Sequence, residues 1–160
     1  MKVYDAPNIR NVALVGHGGC GKTSLASALL FDAGAANRLG RVEDGTTVTD
    51  FDPDEIERQT SMQLAACHLE WKKNKINLLD APGDSAFLFD ARMALQVVET
   101  ALIGVCAVSG VEVGTGKTWK WAEDRGLSRF LVVSRLDRER ADFQRTMDQI
   151  HERLAREAVA

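Results

Sequence analysis

The segment Gly16-His-Gly-Gly-Cys-Gly21-Lys22-Thr23-Ser24 concentrates the residues most able to do chemistry. Its spacing fits GxxxxGK(S/T), in which glycines let successive backbone N–H groups converge on phosphate oxygens. A helix starting there would add partial positive charge at its N-terminus. On this reading Gly16, Gly18, Gly19, Cys20, Gly21 and Ser24 surround a phosphate chain. Lys22 reaches the terminal phosphates, and the Thr23 hydroxyl is a magnesium ligand. The same residues also satisfy GxGxxG, a dinucleotide fingerprint. That alternative needs a second buried strand ending in an acid about twenty residues on. Glu43 and Asp44 lie near that distance, but Leu39–Gly45 is polar and glycine-broken, and Lys22-Thr23 would go unexplained. The phosphate loop is the better reading.

Two later segments supply acids. Asp80-Ala-Pro-Gly83 has the form DxxG, whose carboxylate supports a magnesium ion and whose glycine N–H contacts a γ-phosphate. Ser134-Arg-Leu-Asp137 occupies the place of an NKxD base-reading element and keeps only its acid. A carboxylate there accepts from the ring N–H and exocyclic amine of guanine, a pair that adenine does not offer. Asp137 therefore argues for guanine, with Arg135 able to lay its guanidinium over the base. An ATP-using protein stays open as an alternative. Gly114-Thr-Gly-Lys-Thr118 is a decoy, because the first glycine that its motif requires is Val111.

These groups need a scaffold, and the chain alternates strand and helix patterns. Asn11–Val15 reads as a buried strand and Thr23–Ala33 as a helix. Residues 34–62 show no sustained periodicity and read as a long functional loop. Strands follow at 63–71 and 76–80 around a turn at 72–75, then a helix at 86–98 and a strand at 101–108. A helix at 115–124, a strand at 129–133 and an amphipathic helix at 139–156 complete the pattern. Such alternation predicts an α/β fold, a mainly parallel sheet flanked by helices.

The remaining composition excludes more than it selects. Twenty basic against 23 acidic residues give a net charge of −3, which speaks against a chain-wide nucleic-acid surface. The longest apolar run, Ala101–Val108, is strand-sized, so neither a membrane span nor an export signal is expected. Cys20, Cys67 and Cys106 lack CxxC spacing and are expected as reduced thiols in the cytoplasm. His17, His68 and His151 are expected to be spacers or structural residues. Trp71, Trp119 and Trp121 are expected to pack rather than stack on bases.

Taken together the motifs resemble the GTP-binding domain of translational GTPases, most closely elongation factor G and its paralogues. The supporting strings are Gly16–Leu25, Val42–Asp50, Glu57–Ser61, Leu79–Gly83, Ser109–Gly114 and Leu136–Phe143. The resemblance implies a P-loop GTPase fold with GTP or GDP and Mg2+ as ligands, and the ribosome as partner of a full-length factor. It makes 34–62 the first switch loop and 81–90 the second, and puts Ser61 where the family has a threonine metal ligand. It also sets Asp84 where the usual factor carries the histidine that orients the hydrolytic water. A non-hydrolysing or degenerate GTP-binding switch is therefore a second reading. Relative to the family, residues 1–160 are expected to form a single incomplete domain. It would lack the last strand and leave 130–133 as an exposed sheet edge.

Overall fold

The computed structural model describes residues 2–160. Five strands form one sheet: β1 (Ile9–Gly16), β2 (Ala65–Trp71), β3 (Asn74–Asp80), β4 (Thr100–Cys106) and β5 (Ser128–Ser134). Their spatial order is β2-β3-β1-β4-β5, and every pair is parallel except the β2–β3 hairpin. The helices are α1 (Lys22–Asp32), α2 (Pro53–Arg58), α3 (Leu88–Ala94), α4 (Val113–Asp124) and α5 (Phe143–Arg153).

β1 is central and buried on both faces, which is why its apolar residues do not alternate with polar ones. Ala13 and Val15 point into a core shared with Leu88, Leu95 and Trp119 of the α3–α4 side. Val12 instead packs with Leu29 and Leu30 of α1 and with Leu69 and Leu78 of the hairpin. Ile150 of α5 closes a third cluster over Val105 and Val111. The register pairs Leu14 with Asp80, Gly16 with Gly104 and Cys106 with Ser134. The carboxyl ends of β1, β3, β4 and β5 thus meet at one edge, where open α/β sheets bind ligands.

The expected α/β architecture is present, and the departures are local. The long segment 34–62 contains α2, capped by Asp52, whose side chain accepts from Asp54 N, and started by Pro53. The last helix begins at Phe143 rather than Glu139. Arg140 sits at φ 69, outside helical space, and the Asp142 side chain caps the helix by accepting from Arg145 N. α3 covers only Leu88–Ala94, because Asp84–Phe87 forms a turn closed by Phe87 N donating to Asp84 O at 3.1 Å. β5 pairs only with β4 among the described residues and leaves Phe130 60% exposed, the expected sheet edge.

Candidate functional site

β1 delivers its chain at Gly16 into a loop that turns into α1 at Lys22. Gly16 has φ 131, and a Cβ on it would lie 2.7 Å from the Gly104 carbonyl oxygen, so the loop can approach β4 only as glycine. Lys22 is 8% exposed. Its Nζ donates to the His17 carbonyl at 2.9 Å and to the Gly16 carbonyl at 3.4 Å. None of the ion pairs among the described residues includes it. The Cys20 sulfur stands 4.0 Å from it. A buried ammonium held by carbonyl dipoles and a thiol, with no carboxylate in salt-bridge reach, is a strong attractor for an anion. Gly83 packs directly on this loop: a Cβ there would collide with Lys22 Nζ and stand 2.6 Å from Gly18 N. The Asp80–Gly83 element therefore adjoins the phosphate loop through backbone.

Beside Lys22 lies a chain of oxygen groups. Ser61 Oγ donates to Asp50 Oδ1 at 2.7 Å and sits 3.0 Å from Thr23 Oγ1. Thr49 Oγ1 donates to Asp80 Oδ2 at 2.8 Å, while Asp80 Oδ1 is buried with no protein partner. Burial pushes the Asp80 carboxyl up to about 6, against the lowering influence of the Thr49 and Thr23 hydroxyls and the Lys22 charge. Burial also raises Asp50. Two desolvated carboxylates and two hydroxyls at one spot form the donor set of a hard dication.

Asp50 and Thr49 come from the long loop, and one residue sets the path of its final turn. Glu55 is 1% exposed. Its Oε1 accepts from Met62 N at 2.8 Å and Gln63 N at 3.1 Å, and its Oε2 from Asp52 N at 3.4 Å. Glu55 thereby ties both ends of α2 together and turns Ser61 toward Thr23. Removing it with Glu55→Ala leaves those amides without their acceptor. It should destabilise the fold by about 2 kcal/mol, within the range for lost buried hydrogen bonds. Amide exchange at Met62 and Gln63 should accelerate by about tenfold or more while β1 amides are unchanged. Unchanged exchange at those two amides would refute the clamp.

On the β5 side, Ser134 Oγ donates to the Cys20 carbonyl at 2.6 Å and approaches the Val105 carbonyl at 3.3 Å. Ser134 thus anchors the phosphate loop to the end of β5. Arg135 follows at φ 59. Two cavities meet over Gly21. One of about 210 Å³ is lined by Lys22, Thr23, Ser61, Gly83 and Asp84. The other, about 400 Å³, is lined by Cys20, Ser134, Arg135 and Asp137.

Comparison with known proteins gives this arrangement its family. The profile described as "Elongation factor Tu GTP binding domain" matches residues 7–160. The chain belongs to that family. It is 39% identical over 150 residues to a protein named ribosome-releasing factor 2, mitochondrial, from Debaryomyces hansenii, covering 94% of this chain and 17% of that one. It is 35% identical over 154 residues to elongation factor G 2 of Streptomyces coelicolor, covering 96% of this chain and 22% of that one. A crystal structure of a protein from Thermus thermophilus superposes with a TM-score of 0.87 at 42% identity, over 92% of this chain and 22% of that one. The chain spans about a fifth of the length of such relatives.

Within this family domain the residues expected from sequence fall on both sides of Gly21. Gly18, Gly19, Gly21, Lys22, Thr23, Ser24, Ser61, Gly83, Asp84 and Arg135 line the first cavity. Cys20, Ser134 and Asp137 line the second, where Asp137 is exposed. Gly16 and Asp80 line neither. The Asp84 carboxylate accepts from Ala86 N at 2.9 Å. His17 Nδ1 accepts from Gly114 N at 3.3 Å, so it ties the loop to α4 rather than acting as a plain spacer. Burial raises the Cys20 thiol, which makes it a small packed residue rather than a nucleophile. Among the described residues no helix is long and apolar enough to cross a membrane.

Proposed function

We propose that this domain binds GTP and GDP with Mg2+ and hydrolyses GTP as part of an elongation factor G-like translation factor. The observation that carries the proposal is Lys22, a buried ammonium without a carboxylate partner at the head of α1. The β- and γ-phosphates would take up its charge, and the Gly18–Lys22 backbone N–H groups would complete the contact. Oxygen donors suit magnesium: Thr23 and Ser61 would hold it, with Asp80 and Asp50 neutralising its charge. The ion would screen the phosphates and leave the protein to position an in-line water. Asp137 would read the guanine N–H groups, and Arg135 would cover the ring. Residues 34–62 and 81–90 would then be the segments that respond to the γ-phosphate. The names of the relatives make the ribosome the natural partner. The three free thiols fit a reducing compartment such as the cytoplasm.

A second reading, a GTP-binding switch with little turnover, is favoured by Asp84. Asp84 lines the cavity beside Lys22, where a carboxylate would repel a γ-phosphate. Asp84→His should raise ribosome-stimulated hydrolysis by about a hundredfold or more, the usual scale of a positioned acid–base group. Single-turnover assays with and without ribosomes read this. Unchanged turnover with normal GTP binding would favour the switch.

A further inference from the structure

The geometry points to Glu43 as the residue that selects a ribose over a deoxygenated sugar, a specificity role that rests on the nucleotide reading above. The two cavities share five residues: Gly21, Lys22, Ser24, Glu43 and Arg135. A nucleotide with its phosphates at Lys22 and its base at Asp137 must pass its sugar through that shared stretch. The ribose hydroxyls there need acceptors. Arg135 and the Lys22 ammonium are donors only; the side-chain acceptors common to both cavities among the described residues are the Ser24 hydroxyl and Glu43, and only the Glu43 carboxylate adds the charge that strengthens a bond from a hydroxyl.

Glu43 is set there by its own loop. Gly45 N donates to Val42 O at 3.1 Å and Thr46 N to Arg41 O at 3.1 Å, closing a turn with Glu43 near its apex. Gly45 stands at φ 60 with Ile56 Cγ2 only 2.5 Å from where its Cβ would be, which docks the turn on α2. The Glu43 side chain makes no hydrogen bond or ion pair with the described residues, so its oxygens are free to accept. Arg135, at the same junction, offsets the repulsion between this carboxylate and the phosphates. An acid on the sugar diol is the device by which dinucleotide folds read ribose, here supplied by a loop instead of a strand end.

The test compares GDP with 2′,3′-dideoxy-GDP in magnesium, on the wild-type chain and on Glu43→Ala and Glu43→Gln. The wild type should bind the dideoxy nucleotide about tenfold more weakly, as expected for losing hydrogen bonds to a charged acceptor. Glu43→Ala should weaken GDP by a similar factor and bind both nucleotides alike, with Glu43→Gln between. A wild type that does not distinguish the two, or an alanine variant that still does, overturns the assignment while leaving GTP binding intact. Failure of GDP itself to bind the folded wild type overturns the nucleotide reading and this role together.

Discussion

Lys22→Met is expected to lower affinity for GTP and GDP by at least about a hundredfold, close to 3 kcal/mol, while the chain remains folded. The wild-type ammonium is desolvated, bonded to the carbonyls of Gly16 and His17 and in no ion pair among the described residues, so an anion gains much of what that burial cost. Methionine keeps the unbranched stem beside Gly104 and removes the charge. Without nucleotide the variant should melt at the wild-type temperature or slightly above it. Titration of a fluorescent GDP analogue, with a melt of the same samples, checks both halves. Affinity within about fivefold of wild type would mean that the phosphates do not lie at Lys22.

Asp80→Asn should separate stability from function. In the folded chain burial holds this carboxyl near 6, above its ordinary value of 3.8. A raised folded pKa means that the native state favours the proton. The associated stability is complete below about pH 4 and is lost as pH rises through about 6. At pH 7.5, without metal, the wild type therefore carries an ionised, partly unpaired carboxylate. The asparagine variant should be more stable there by about 1–3 kcal/mol, a few degrees or more in Tm for a chain of this size. The two should converge near pH 4. Magnesium with GDP should reverse the order at pH 7.5, because only the aspartate gains a cation. Melting curves from pH 4 to 8 in chelator and in magnesium decide it. A variant less stable than wild type at pH 7.5 in chelator would contradict the assignment.

Much of this site was legible because it is written in consecutive residues. The phosphate loop, the Asp80–Gly83 turn and the Ser134–Asp137 segment each follow a strand, and a parallel sheet brings strand ends to one edge. Thr49, Asp50 and Glu55 were not legible, because they lie in a polar stretch with no period and act only through contacts with distant residues. One local signal was available. Asp52-Pro-Asp-Glu55 has a cap, a proline at the first turn and an acid three residues on, the mark of a capped helix start. It would have placed α2 and drawn attention to Glu55. Ser134 read as a departure from the base-reading pattern, yet its hydroxyl still ties the phosphate loop to β5. The turn at Arg140 shows the opposite failure, where an amphipathic pattern ran on into residues whose backbone is not helical.

The most direct test of the central claim is calorimetric titration of the folded chain with GTP, GDP and ATP, each with and without magnesium. Saturable binding of GTP and GDP at one site, tightened by magnesium, is the expected result. ATP should bind more weakly by about a hundredfold, the scale of losing the paired hydrogen bonds to Asp137. Equal affinity for ATP would contradict guanine selection, and a folded chain that binds none of the three would contradict the site itself.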